Sequence, residues 1–150
     1  MTSSTDPSAG IRRLFDRYRD RVLAKDAAGL LALYRDDVRV FDFWDAWSHE
    51  GLPAWGASVG QWLGSLGDET VRVAFDDVRI EAGDRLASAS FVTTYAAVSA
   101  TGEVLRSMQN RGTWSLSREE DGDWRIFHEH TSAPIRSADL KGVLQRPSAG

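Results

Sequence analysis

The chain has 150 residues, a formal net charge of −4 and no cysteine. Its length and its 42% hydrophobic content suit one compact domain. The net charge gives no reason to expect nucleic acid or a membrane surface as partner, and the lack of cysteine excludes disulfides, thiolate nucleophiles and cysteine-ligated metals. The sequence has no apolar run that would span a membrane and no apolar signal-peptide centre, so we expect a cytoplasmic protein.

Three helices are predicted in the first half of the chain. The first begins at Pro7, because Asp6 supplies a side-chain cap and proline suits the first helical position. A second helix over "DAAGLLALYRDD" is expected to end near Arg35, and Pro53 opens a third, "PAWGASVGQWLGSLG". The apolar residues of the first helix recur at spacings of three and four and form one buried stripe: Ile11, Leu14, Phe15, Tyr18 and Val22.

A strand, "VRVFD", lies between the second and third helices. Alternation places Val38, Val40 and Asp42 on one face and Arg39 on the other. Because Arg39 prefers water, the face that carries Asp42 is predicted to point inward. An ionised carboxylate in apolar surroundings must reach solvent, find hydrogen-bond donors or shift its pKa upward.

From Thr70 onward the apolar residues alternate, which predicts a meander of long antiparallel strands. A change of phase at Asp76-Asp77 predicts a bulge, and "EEDGD" predicts a hairpin before the last strand, "WRIFHEHTS". A short helix is expected over residues 138–144. The whole pattern favours an α+β fold, with three N-terminal helices packed in the concavity of a strongly curved, mostly antiparallel sheet.

The stretch "RLFDRYRDRVLAKDAAGLLALYRDDVRVFD" resembles the first third of the ketosteroid isomerases, which belong to the SnoaL-like part of the nuclear transport factor 2-like superfamily. The resemblance runs without a gap from Leu14 to Asp42. It implies that Tyr18 is an oxyanion-hole tyrosine and that Asp42 is a catalytic general base. "GDWRIFHEHTSAP" resembles the closing strand of SnoaL-like domains. The superfamily contains isomerases, polyketide cyclases, epoxide hydrolases, dehydratases and proteins without catalysis, so the resemblance specifies the cone-like fold better than the activity.

The resemblance also predicts the division of the chain. We expect a disordered N-terminal tail over residues 1–9, with residues 1–5 as its least structured part. A single SnoaL-like domain is expected over 10–135 and a C-terminal tail over 136–150.

One part of the ketosteroid isomerase site is missing from this chain. Those enzymes complete the oxyanion hole with a second carboxylic acid on the strand before the final hairpin. Its apolar surroundings raise its pKa, so that it stays protonated and donates a hydrogen bond. The corresponding stretch here, "SMQNRGTWS", contains Gln109, Asn110, Arg111 and Thr113 but no acid. Steroid isomerisation itself is therefore not the expected reaction.

Two histidines, His128 and His130, lie two residues apart on the last strand and are predicted to share the face of Trp124 and Ile126. They could join Asp42 as metal ligands, but two histidines without a clear third ligand are a poor zinc signature, and we predict no metal. Alternatively, His130 lines the cavity as an acid, a base or a hydrogen-bond donor, or both rings are buried and bonded to their neighbours.

Four tryptophans, all between the first strand and the end of the third helix, are expected near the mouth of a cavity: Trp44, Trp47, Trp55 and Trp62. Together with Gln109 they predict a binding site for a small, hydrophobic or ring-containing ligand.

The first functional hypothesis is a cofactor-independent enzyme. Asp42 removes a proton from the carbon next to a carbonyl, or activates water, while Tyr18 with Arg111 or His130 stabilises the developing oxyanion. Isomerisation, cyclisation and dehydration of a hydrophobic carbonyl compound all fit this set of residues.

The alternative hypothesis is a non-catalytic ligand-binding or self-association domain in which Asp42 pairs with Arg111. The outer face of the sheet would then be covered by Phe41, Phe91 and Tyr95. A homodimer is expected under both hypotheses, because proteins of the resembling fold are commonly dimers.

Overall fold

The first helix begins where the capping signals place it. In the computed structural model, which describes residues 6–147, the Asp6 carboxylate accepts a hydrogen bond of 3.0 Å from the Ser8 amide. Pro7 is the first helical residue, so residues 7–9 belong to the helix and not to the predicted tail. Residues 1–5, where disorder is predicted, lie outside the described residues.

Three helices precede most of the sheet, as predicted. The helices are α1 (Pro7–Leu23), α2 (Ala27–Leu31) and α3 (Leu52–Gly64), and the strands are β1 (Tyr34–Phe41), β2 (His49–Glu50), β3 (Thr70–Ala82), β4 (Leu86–Val98), β5 (Val104–Arg118) and β6 (Trp124–Ser132). The six strands form one curved, open sheet in the order β2-β1-β6-β5-β4-β3. The pairing of β1 with β6 is parallel and the other pairings are antiparallel. The α+β prediction is confirmed.

The second helix is shorter than predicted, because the chain enters the sheet early. Tyr34 already pairs with Ile126 of β6, and the Ile126 amide donates a hydrogen bond of 2.9 Å to the Leu33 carbonyl. Sheet pairing and burial of Tyr34 therefore override the helical pattern that ran on to Arg35.

The segment 138–144 does not form the predicted helix. Ile135 and Gly142 make an isolated bridge, and the carbonyl oxygen of Leu144 accepts a hydrogen bond of 2.7 Å from the backbone N–H of Gln109. The reason is the unequal length of the strands, because β6 ends with Ser132 opposite Arg111 and leaves the β5 edge beyond it unpaired. The tail supplies partners for that edge.

The bulge predicted in β3 is confirmed. Register shifts between Asp76 and Arg79, and Asp77 has a φ of 51°, a left-handed conformation that aspartate tolerates better than most residues. The bulge adds to the bending of this long strand around α1.

Aromatic side chains fill the space between α1 and strands β3, β4 and β5. Phe15 of α1 stacks on Trp114 at 4.4 Å between ring centroids and meets the edges of Phe75 and Phe91. Tyr18, one turn further along α1, lies at the boundary where this solid core gives way to a cavity. Within residues 6–147, no helix combines the length and the hydrophobicity needed to cross a membrane.

The absence of a side chain at Gly112 leaves space for the Phe91 ring in the aromatic core. A Cβ at this position would lie 2.7 Å from Phe91 Cζ and closer still to Cε2, and Phe91 is held by Phe15, Phe75 and Trp114. Gly112→Ala is therefore expected to destabilise the protein by roughly 1–3 kcal/mol in urea unfolding. Gly60→Ala is the control, because a Cβ there meets nothing within 4 Å. A helix-interior alanine in place of Gly60 is expected to stabilise the protein by about 1 kcal/mol. Equal stability of the Gly112 variant and the wild type would contradict this packing.

Candidate active site

A cavity of about 700 Å³ lies between α1, α3 and the concave face of the sheet. Polar side chains from five elements or their ends reach its wall: α1, the end of β1, β4, β5 and β6. Tryptophans of α3 and of the loop after β1 contribute apolar surface. The wall includes Tyr18, Asp42, Tyr95, Asn110, Glu129 and Thr131, together with Trp44, Trp55, Trp62 and Met108. Asp42 and Tyr18 therefore line one cavity, as the strand and helix phases predict.

Asp42 is held by a hydroxyl and not by an arginine. It directly follows β1, and its Oδ1 accepts a hydrogen bond of 2.9 Å from Thr131 Oγ1. Burial raises the pKa of the Asp42 carboxyl, and the bond from Thr131 and the charge of His49 oppose that rise in part. An inward, partly desolvated carboxylate of this kind is suited to accept a proton.

Arg111 lies away from the cavity. Its side chain is exposed, and its Nε donates a hydrogen bond of 3.2 Å to Ser132 Oγ. The pairing of Asp42 with Arg111 that the alternative hypothesis requires is therefore wrong. Alternation explains the placement, since the inward residues of β5 are its neighbours Asn110 and Gly112.

The prediction that His128 and His130 share the face of Trp124 and Ile126 is wrong. Ile126 pairs with Leu116 and His128 with Ser115, so β6 contains an additional residue, Phe127, at this point. The bulge reverses the alternation and turns both histidines to the outer face. There the His128 Nδ1 lies 2.8 Å from the Arg39 carbonyl oxygen, and both imidazoles contact the Phe41 ring.

The same bulge turns Glu129 inward, and sequence reasoning missed it as a site residue. Its side chain is 4% exposed, and its Oε1 accepts hydrogen bonds from Tyr34 Oη at 2.7 Å and Trp114 Nε1 at 2.9 Å. Burial raises the pKa of Glu129 to about 7, and the Asp42 charge contributes in the same direction. The sequence did contain one signal for Glu129: it lies between two histidines, and histidine is found on either face of a strand, so alternation alone did not exclude an inward glutamate.

Two tyrosine hydroxyls meet beside the carboxyl groups. Tyr18 Oη and Tyr95 Oη lie 3.2 Å apart, and burial raises the pKa of both phenols. Both remain protonated donors at neutral pH. Tyr95 was predicted on the outer face with Phe91, but both point inward because β4 places them in phase with the buried Thr93. Phe41 does lie on the outer face, against the two histidines, as predicted. The expected homodimer stays a prediction.

The predicted ligand-binding residues divide between the cavity and the surface. Trp44, Trp55 and Trp62 line the cavity, while Trp47 is 96% exposed in the loop after Asp42. Gln109 faces outward, where its Nε2 donates to Thr94 Oγ1 and its Oε1 accepts a hydrogen bond from the Arg146 amide. Over residues 6–147, no three histidine, aspartate or glutamate side chains are grouped to hold a metal ion.

Comparison with known proteins gives the same fold over nearly the whole chain. An NTF2-like protein of unknown function from Pseudomonas putida KT2440 is 25% identical and has a TM-score of 0.81, and the match covers 96% of this chain and 100% of that one. An NTF2-like protein with a cystatin-like fold from Novosphingobium aromaticivorans is 22% identical, with a TM-score of 0.71 and coverage of 89% and 86%. ActVI-ORFA from Streptomyces coelicolor is 16% identical, with a TM-score of 0.75 and coverage of 85% and 97%.

No curated protein sequence matches the chain. The family described as "SnoaL-like domain" matches residues 11–136, which include Asp42, Glu129, Tyr18 and Tyr95, most of α1 and the whole of α2 and α3. The chain therefore belongs to the SnoaL-like domain family, within the NTF2-like superfamily.

Proposed function

We propose that this protein is a small-molecule enzyme that performs cofactor-independent general acid–base chemistry on a hydrophobic carbonyl compound. The reaction classes that fit are isomerisation, cyclisation and dehydration. The observation that carries the proposal is the position of the Asp42 carboxylate, which lines the cavity and is held by Thr131.

Asp42 is the proposed general base. Its raised pKa brings the proton affinity of the carboxylate closer to the range in which a base works at neutral pH. One Asp42 oxygen removes a proton from the carbon next to the substrate carbonyl. The electron pair of that C–H bond becomes the π bond between this carbon and the carbonyl carbon, and the carbonyl π electrons move to the oxygen, which becomes the oxyanion. A positioned general base contributes about 10²–10⁴-fold to such a step.

Glu129 is the proposed acid. A pKa of about 7 leaves a large protonated fraction at neutral pH, and a neutral carboxyl donates a hydrogen bond to a carbonyl oxygen as charge develops on it. In this proposal Glu129, on β6, has the role that the second carboxylic acid has in ketosteroid isomerases, where the acid lies on the strand that corresponds to "SMQNRGTWS". Glu129 lies two residues before Thr131 on the same face of the strand, which places it near Asp42.

The hydrogen-bonded pair of Tyr18 and Tyr95 is proposed to supply one additional donor to the oxyanion: one hydroxyl donates to the other, whose own O–H donates to the oxyanion. Removal of one positioned donor typically costs about 10²–10³-fold in rate. His130 and Arg111, which were predicted for this role, have no part in the proposed mechanism because both lie on the outer face.

Deuterium exchange tests the proposal without knowledge of the natural substrate. The probe is α-tetralone, a flat bicyclic ketone with protons on the carbon next to its carbonyl. In deuterium oxide the protein is expected to accelerate the loss of the proton signal of that carbon by at least about 10²-fold over buffer. Calorimetric binding of the ketone without acceleration would support the alternative, a non-catalytic ligand-binding domain.

A further inference from the structure

The hydroxyl of Thr131 makes two hydrogen bonds, which together fix its orientation. Thr131 is 7% exposed, and its Oγ1 donates a hydrogen bond of 2.9 Å to Asp42 Oδ1 and accepts one of 3.2 Å from the Phe43 N–H. A hydroxyl has one proton to donate, and an ionised carboxylate only accepts hydrogen bonds. Because the Phe43 N–H only donates, the hydroxyl proton of Thr131 points at Asp42.

Strand pairing brings these two side chains together. Phe41 of β1 pairs with His130 of β6. The residues that follow these two are Asp42 and Thr131, and both line the cavity. On the other side of β6, Thr131 pairs with Gly112, which has no side chain to compete for the hydroxyl. Threonine is also stiff at χ1, because two heavy atoms branch from its Cβ. The sheet therefore holds the donor rigidly against one oxygen of the carboxylate.

Three titratable groups on neighbouring elements interact with Asp42: His49 of β2, Tyr95 of β4 and Glu129 of β6. The charge of His49 lowers the pKa of Asp42, and the charge of Asp42 raises the pKa values of Tyr95 and Glu129. Among the groups that lower the pKa of Asp42, the Thr131 hydroxyl has the largest effect. Neighbouring carboxyl groups do not both ionise easily, so a donor directed at one of them favours that one as the anion. The hydroxyl thus favours Asp42 as the base and Glu129 as the acid.

We propose that Thr131 is the positioning residue for the base: its hydroxyl holds the Asp42 carboxylate in one orientation and stabilises its ionised form. Thr131 acts through Asp42 and takes no part in the proton transfer. This inference rests on the proposed function, because it assigns the group that controls the base of that reaction.

Thr131→Val tests the assignment, because valine has a similar shape but no hydroxyl. The pKa of Asp42, followed by NMR of its carboxyl resonance in protein made with ¹³C-labelled aspartate, is expected to rise by about 1–2 units, the shift that corresponds to one hydrogen bond to a charged group. The loss of this resonance in Asp42→Asn identifies it. Thr131→Ser keeps the hydroxyl and is expected to keep the pKa of the wild type. Thr113→Val, at an exposed position of β5, is the matched control and is also expected to keep it.

Deuterium exchange into α-tetralone gives a second measurement. In Thr131→Val the acidic limb of the pH–rate profile is expected to move to higher pH by the same amount as the Asp42 pKa, because the base accepts a proton only when it is ionised. The plateau rate is expected to fall by at least about 10-fold with little change in KM, since the carboxylate is no longer held in one orientation. A lower melting temperature of Thr131→Val with an unchanged pH profile would show a purely structural threonine and would overturn the proposal.

A titration of the wild type applies even if Thr131→Val does not fold. The methyl resonance of Thr131, identified by its absence in Thr131→Ser, is expected to titrate with the pKa of the Asp42 carboxyl. A methyl resonance that does not respond to the ionisation of Asp42, or an Asp42 pKa that is equal in Thr131→Val and the wild type, would overturn the proposal.

The NMR titrations need no substrate, so they are read separately from the exchange reaction. A raised Asp42 pKa in Thr131→Val without accelerated exchange by the wild type would support the assignment of Thr131 and contradict the proposed function alone.

Discussion

Glu129→Gln is expected to remove a large part of the dependence of stability on pH. The folded protein keeps the Glu129 carboxyl protonated up to a pKa of about 7, whereas in the unfolded chain it ionises near its ordinary value of 4.5. The stabilisation from the buried neutral acid is therefore fully present below the unfolded pKa and is lost as pH rises through the folded pKa. The loss between about pH 5 and about pH 8 amounts to about 2–3 kcal/mol.

Urea unfolding of dilute protein, followed by tryptophan fluorescence, measures this difference. Glutamine stays neutral, and its amide oxygen still accepts the hydrogen bonds from Tyr34 and Trp114. The variant is expected to approach the wild type in stability at low pH and to exceed it at high pH. Glu120→Gln, at an exposed position in the hairpin before β6, is the control and is expected to follow the wild type. A Glu129→Gln variant whose stability falls with pH as steeply as that of the wild type would contradict the burial of a neutral acid.

The features that the sequence predicts correctly are those that local patterns determine. Alternation in "VRVFD" places Val38 and Val40 in the core and Asp42 at the cavity, and the side chain of Asp6 caps α1. The phase change at Asp76-Asp77 marks a real bulge. Each of these signals depends on residues within one element, so the printed sequence contains the whole of the evidence.

The features that the sequence misses depend on pairing between distant segments. "WRIFHEHTS" has no residue that fixes its phase, and only pairing with β5 shows that Phe127 is an additional residue. As a result the predicted inward histidines lie outside, and the overlooked Glu129 lies inside. The end of α2 and the structure of the C-terminal tail are likewise decided by available partners on β6 and β5.

Replacement of Asp42 is expected to have the largest effect on activity. Asp42→Asn keeps the size of the side chain and leaves an oxygen that accepts the hydrogen bond from Thr131, but an amide does not accept a proton at neutral pH. We expect the exchange rate of α-tetralone to fall by about 10²–10⁴-fold while its affinity changes little. Asp45→Asn is the matched control, because Asp45 is an exposed carboxylate in the same loop at the cavity mouth.

The central claim is that Asp42 lies in the cavity and acts there as the general base. Its most direct test is the rate of deuterium exchange into α-tetralone, measured for the wild type, Asp42→Asn and Asp45→Asn at saturating ketone. We expect rapid exchange for the wild type and for Asp45→Asn, and a rate near that of buffer for Asp42→Asn. Equal acceleration by the wild type and Asp42→Asn would contradict the claim, because proton transfer would then not pass through the inward carboxylate.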